Sequence, residues 1–133
     1  MRLPFAILLL LVLALTACGN ANTHRVTGSL HLTGDNFTVS GLECQGTGGD
    51  SDITMGARVT IRDGGGSILA TATLGVGVQT SSSKSCEFEF DAGEVPEKDF
   101  YQVEIGGRRP YAVSRGEMER QAWDLQLKLG PAS

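Results

Sequence analysis

The chain has 133 residues and carries 15 acidic and 11 basic side chains, which give a formal net charge of −4 at pH 7. This length suits one domain with a modest core. The acidic balance argues against a nucleic-acid partner, because phosphate binding needs clustered Lys and Arg, and against electrostatic attachment to anionic lipid.

The amino-terminal segment predicts the compartment. An apolar run from Phe5 to Leu15 follows Arg2; it is too short to span a bilayer, which needs about 20 apolar residues, but it suits a secretory signal. The residues that end this run, Leu15-Thr16-Ala17-Cys18, resemble the lipobox of bacterial lipoproteins. The resemblance implies that residues 1–17 are a cleaved signal peptide and that Cys18 is acylated, as with palmitate, on the extracytoplasmic face of the cell membrane. Two or three acyl chains, at ~0.8 kcal/mol per buried CH₂, make a stable anchor.

The other two cysteines form an even pair in an oxidising compartment, so we expect a Cys44–Cys86 disulfide. Closing so long a loop would stabilise the fold by about 4 kcal/mol in the chain-entropy model. The alternative is a pair of metal-binding thiolates, but neither cysteine has a second Cys or a His at ligand spacing.

The first half of the chain predicts short strands separated by polar loops. Residues 18–23 are small and polar and form the lipidated tether, and residues 24–130 form the single domain. Apolar alternation from Val26 to Leu32 continues at Phe37 and Val39 beyond a polar turn, which predicts a hairpin. The remaining segments of this half are an irregular loop at Cys44–Gly56, a strand from Ala57 turning at Asp63–Gly66 into Ser67–Leu74, and a mobile loop at Gly75–Ser85.

The second half alternates more clearly. Its predicted inward positions are Cys86, Phe88 and Phe90, then Tyr101, Val103 and Ile105, then Trp123, Leu125, Leu127 and Leu129, of which the last set predicts a core strand. Ser114-Arg115-Gly116-Glu117 has the S-x-x-E pattern that caps a short helix. Seven to eight short strands with one helical turn and no βαβ rhythm indicate an all-β, antiparallel sandwich of transthyretin or immunoglobulin type, with barrel closure left open.

Two segments resemble known extracellular modules. The segment 57–71 is similar to the strand pair of carboxypeptidase-regulatory-like and other transthyretin-like domains, and 88–105 resembles the closing strands of those domains. That resemblance implies a seven-stranded sandwich that is usually non-catalytic. The whole chain also resembles small lipoproteins of actinobacteria, which implies no particular activity.

Candidate chemistry is sparse. His24 lies beside the tether and His31 on the outer face of the first strand, so neither has an obvious partner of fixed geometry. The sequence contains no G-x-S-x-G, H-E-x-x-H or C-x-x-C motif, and we expect neither an enzyme nor a cofactor.

A calcium site is a weaker hypothesis than an ordinary solvated loop. Asp50 and Asp52, with Glu43 upstream, gather hard oxygen ligands in a Gly-rich loop, which is what Ca²⁺ needs. The EF-hand register fails, however, because Met55 and Ile61 stand where Gly and Glu would be required. We therefore expect no metal and name these three carboxylates as the weak candidates.

Two surface features bear on partners. Glu87, Glu89 and Asp91 form an outward acidic stripe, which we expect to pair across the sheet with Arg58 and Arg62. Phe100 faces outward, because Tyr101 takes the inward position, and is a possible partner contact.

These observations favour a non-catalytic, lipid-anchored interaction or structural module of the cell envelope. Its contacts would be Phe100 and the two long loops, Cys44–Gly56 and Gly75–Ser85. The alternative is a carrier of a small apolar ligand between the two sheets. The expected partners are the membrane, through Cys18, and either an envelope protein or that small apolar ligand.

Overall fold

The structure, a computed structural model, describes residues 22–81 and 84–130, so the signal segment and Cys18 lie outside the described residues. Among the described residues no helix has the length and apolar character needed to cross a membrane. The elements are β1 (Thr23–Thr33), β2 (Phe37–Ser40), β3 (Glu43–Gly46), a single 3-10 turn (Gly48–Asp50), β4 (Arg58–Asp63), β5 (Ile68–Thr73), β6 (Gly77–Thr80), β7 (Ser85–Pro96), β8 (Phe100–Ile105), β9 (Tyr111–Ser114), α1 (Arg115–Arg120) and β10 (Asp124–Leu129).

The strands form two sheets, which confirms the predicted sandwich. The six-stranded sheet has the order β10-β1-β7-β6-β3-β2 and the four-stranded sheet the order β5-β4-β8-β9. The structure describes ten strands rather than seven to eight, because β3 and β6 lie in segments expected to be loops. All pairs are antiparallel except β1 and β10, which run parallel.

The core lies between the sheets and follows the predicted alternation. In β7 and β8 the predicted inward residues are all buried. The largest fully buried side chains include Tyr101, Phe88, Leu30, Leu32, Ile53 and Ile61. Burial of every second residue gives each sheet one apolar face, and the two apolar faces pack against each other to form the core.

The predicted hairpin between the first two strands is wrong. β1 pairs with β7 and β10 instead, so that Leu30 lies between Phe88 and Leu127. β2 pairs with β3 through the two-residue turn Gly41-Leu42, in which Gly41 has a φ of +66°. Glycine at the first central position of a tight turn favours a hairpin at this point of the chain.

β10 is an edge strand and not a central strand of the sheet. Its apolar residues Leu125 and Leu127 are nevertheless buried. The side chains of Gln121 and Tyr111 occupy its open edge. The backbone amide of Gln126 donates to Gln121 Oε1 (3.0 Å), and the Tyr111 hydroxyl donates to the Lys128 carbonyl (3.0 Å). Both contacts block pairing with a further strand.

The predicted Cys44–Cys86 disulfide is present and joins β3 to β7, with the two Cα atoms 5.8 Å apart. β6 lies between these strands in the sheet, and two strand spacings in a flat sheet would be about 9.6 Å. The sheet therefore folds sharply at β6. Gly77 makes this fold possible, since a Cβ there would lie 2.2 Å from the Cys44 carbonyl oxygen and 2.6 Å from the Phe88 ring.

Two local predictions are confirmed. The Ser114 hydroxyl accepts from the Glu117 amide (3.2 Å) and caps α1. The β4–β5 hairpin turns where expected, and Asp63 Oδ1 accepts from the amides of Gly65 and Ser67, both at 2.9 Å. Short-range hydrogen bonds of this type depend on sequence alone.

Candidate functional site

An open groove of about 1120 Å³ lies on the outer face of the six-stranded sheet. The groove forms because β6 pairs only with residues 85–88 of β7, and β5 lies beside the later part of β7. The amide of Gly75 donates to the Glu89 carbonyl (2.7 Å) at this junction. The lining includes Ser29, Gln126, Glu87, Glu89, Thr71 and Thr73, with Arg58 on one wall.

Three polar side chains are hydrogen-bonded to one another on β1 and β10, and two of them, Ser29 and Gln126, line the groove. Ser29, only 4% exposed, donates from Oγ to Gln126 Oε1 (2.9 Å). His31 Nε2 lies 3.1 Å from both that amide oxygen and Ser29 Oγ. Because an amide oxygen can only accept, His31 Nε2 carries the hydrogen and donates. The expectation that His31 has no fixed partner is wrong.

Ser29, His31 and Glu87 have the residue types of a catalytic triad but not its geometry. Ser29 Oγ gives its hydrogen to Gln126, and the His31 nitrogen nearest to Ser29 is a donor and not a base. The other ring nitrogen is 3.9 Å from Glu87 Oε2, beyond hydrogen-bond distance. The hydrogen bonds hold Ser29, His31 and Gln126 in fixed orientations relative to one another.

The acidic stripe has partners other than those predicted. Asp91 hydrogen-bonds Arg25, and Arg62 is 3.9 Å from Glu104. The pKa of Asp91 is lowered, first by the hydrogen bond from the Gly93 amide and then by the one from Arg25. Glu87 and Glu89 line the groove together with Arg58.

His24, near the start of β1, is held by Glu97, which follows β7, and by Trp123, which precedes β10. Its ring stacks on Trp123, with centroids 3.8 Å apart and planes within 4°. His24 Nε2 is 2.8 Å from Glu97 Oε2, while Arg115 donates to the other oxygen of Glu97 (3.1 Å). The pKa of Glu97 is lowered chiefly by the hydrogen bond from His24. The expectation that His24 lacks a partner is therefore wrong.

Trp123 is half-buried instead of lying within the core, and its φ of +61° is unusual for a residue other than glycine. Its other ring neighbour is Tyr101, edge-on at 6.1 Å. The strand therefore begins one residue later, at Asp124.

Tyr101 fixes the turn that presents Phe100. Its hydroxyl accepts from the Lys98 amide (2.7 Å) and donates to the Pro96 carbonyl (3.2 Å). Burial raises the pKa of Tyr101. Phe100 faces outward as predicted and is 62% exposed.

The calcium candidates Asp50 and Asp52 converge on Arg108. Arg108 Nε donates to Asp52 Oδ2 (2.8 Å), and its Nη1 lies 2.9 Å from Asp50 Oδ1. The hydrogen bond from Arg108 lowers the pKa of Asp52, and Asp52 in turn raises that of Arg108. Glu43 lies on β3 opposite Val78. Within residues 22–81 and 84–130, no three His, Cys, Asp or Glu side chains are grouped as a metal would require.

No family model, curated protein or solved structure shows significant similarity to the chain. The side chains that the sequence did not reveal are Glu97, Arg108 and Gln126. Each lies far along the chain from its partner, 73 residues for His24–Glu97 and 56 for Asp52–Arg108. No local pattern signals such contacts.

Proposed function

We propose that this protein is a lipid-anchored, non-catalytic binding module on the extracytoplasmic face of the cell membrane. Cys18 supplies the anchor and the sandwich supplies the contact surface. The observation that carries the proposal is the open groove on the six-stranded sheet, which has a volume of about 1120 Å³.

The chemistry of the groove favours a polar partner that carries positive charge. Glu87, Glu89 and Asp124 line it with Arg58 as the one basic side chain of the lining. Hydroxyl and amide groups of Ser29 and Gln126 are already oriented by hydrogen bonds to each other. Preorganised polar groups cost little to bring into a complex. A basic segment of an envelope protein is the partner that this surface fits.

The packing between the two sheets favours a surface-binding module over a carrier of a small apolar ligand. Large side chains, among them Tyr101, Phe88 and Leu30, are fully buried where the two sheets meet. An internal carrier needs an apolar cavity in that place. The groove, in contrast, opens on the outer face of a sheet.

Site-specific photocrosslinking in intact cells tests the proposal. A photoreactive phenylalanine at Thr71, on the groove wall, is expected to form a discrete adduct with one envelope protein. The same residue at Glu119, an exposed position on α1, is the matched control and should give none. Replacing Glu87 and Glu89 by Gln should weaken the adduct, and Cys18→Ala should abolish it by releasing the protein. Equal crosslinking from both positions would contradict the proposal.

A further inference from the structure

The tether joins the domain at one end of the sandwich, where β1 begins. Thr23, the first residue of β1, pairs with Pro96, and the Glu97 amide donates to the Asn22 carbonyl (2.8 Å). The chain then turns within four residues to Phe100, which pairs with Ser114. We call this the anchor end.

The anchor end cannot lie far from the acyl chains. Only five peptide units separate Cys18 from Thr23, and they span at most about 18 Å when fully extended. This step rests on the proposed function, since it requires that Cys18 carries the lipid. An anchored chain then keeps this end within reach of the lipid headgroups.

Two apolar side chains project from the anchor end. Phe100 is 62% exposed and Ile68 is 58% exposed, both on the outer face of the four-stranded sheet. They flank the β4–β5 turn, where Gly64 lies beside the Cβ of Phe100. Neither side chain contributes to the core: Phe100 precedes the inward Tyr101 on β8, and Ile68 pairs with Arg62, which follows the inward Ile61 on β4.

An arginine stands between these apolar side chains. Arg62 pairs with Ile68 on one side and Gln102 on the other, and its Nη1 donates to the Gly66 carbonyl (3.2 Å). An arginine beside exposed apolar groups can keep its charge at the headgroups while its neighbours enter the acyl region. An arginine beside exposed apolar side chains is a combination that suits a membrane interface.

Position, and not exposure alone, selects this surface. Leu42 is more exposed, at 79%. Its carbonyl accepts from Gln79, which pairs with Cys86, ten residues along β7 from Pro96. Ten residues of strand correspond to about 34 Å. Leu42 therefore lies beyond the reach of a membrane that contacts the anchor end.

We propose that Phe100 and Ile68 enter the headgroup–acyl boundary of the membrane that holds Cys18. The anchor end of the domain then contacts the membrane. The lipidated tether and the two apolar side chains are two linked contacts with that membrane. Linking raises the effective concentration of the second, weak contact. Without the lipid the same two side chains are too few to hold the protein on a membrane.

Depth-dependent quenching tests this contact in the full lipidated protein. The protein is reconstituted into phosphatidylcholine vesicles that contain lipids brominated near the headgroup end of the acyl chain. The variants are Phe100→Trp and, as the matched control, Leu42→Trp, each compared with the native protein to subtract Trp123. The added fluorescence of Phe100→Trp should be quenched at least twofold more than that of Leu42→Trp.

Flotation of the same vesicles separates the two possible failures. Protein that floats, with equal quenching at positions 100 and 42, would overturn the membrane contact and leave the anchoring intact. Protein that does not float would overturn the anchoring through Cys18, and the membrane contact with it.

Discussion

The Tyr101 hydroxyl gives the sharpest test of how the anchor end is built. Tyr101→Phe removes one oxygen that accepts from Lys98 and donates to Pro96. Its ring is fully buried, so water cannot easily replace the lost partner. An unsatisfied group in such a place costs about 1–3 kcal/mol of unfolding free energy.

Urea denaturation with the disulfide intact measures this loss as a lower midpoint at constant slope. In a domain of this size each kcal/mol also lowers Tm by about 4–8 °C. The control is Tyr111→Phe, whose hydroxyl bonds Lys128 at the surface and should cost about 0.5 kcal/mol or less. Equal losses in the two variants, or none for Tyr101→Phe, would refute this account of the β7–β8 turn.

Three further predictions follow from close contacts and charges. Gly77→Ala should cost more than about 2 kcal/mol in urea denaturation, because its Cβ would overlap the Cys44 carbonyl and the Phe88 ring, whereas Gly107→Ala, which meets nothing within 4 Å, should be neutral; similar losses would rule out the fold at β6. Replacing Cys44 and Cys86 together by Ala should lower the unfolding free energy by about 4 kcal/mol, since the bridge spans 42 residues; an unchanged denaturation midpoint would contradict this. Because Arg108 lowers the pKa of Asp52, the stability from their pair is complete above the ordinary value of 3.8 and is lost as pH falls through the lowered one. Arg108→Gln should therefore flatten the dependence of stability on pH below about 4, and an unchanged profile would show that the pair contributes nothing.

Sequence reasoning succeeded where the signal is local. Alternation in β7 and β8, the capping serine of α1 and the Asp63 turn each depend on residues within a few positions of one another. The disulfide followed from parity and compartment. These elements fix the class of the fold.

The strands that were missed have no local apolar signature. β3 and β6 are rich in glycine and polar residues, and they become strands only because β7 offers an edge and the disulfide closes the sheet over Gly77. β1 was given the wrong partner for a related reason. Its pairing with β10 joins residues nearly one hundred positions apart, which periodicity cannot specify.

The candidate sites also divide into those with a local sequence signal and those formed by residues distant in the chain. Phe100 was identified because alternation decides which of two neighbouring aromatics faces outward. The groove, the His24–Glu97–Trp123 contacts and the Arg108 cluster each combine side chains from elements distant in sequence. Such sites become visible only when the topology is known.

The most direct test of anchoring is the mass of the mature protein extracted from membranes. The proposal predicts a chain that begins at Cys18 and carries the added mass of a diacylglyceryl group, with or without a further acyl chain. It also predicts that Cys18→Ala leaves the membrane fraction without that mass. A mature chain that begins at another residue, or one in which Cys18 carries no added mass, would contradict the proposal.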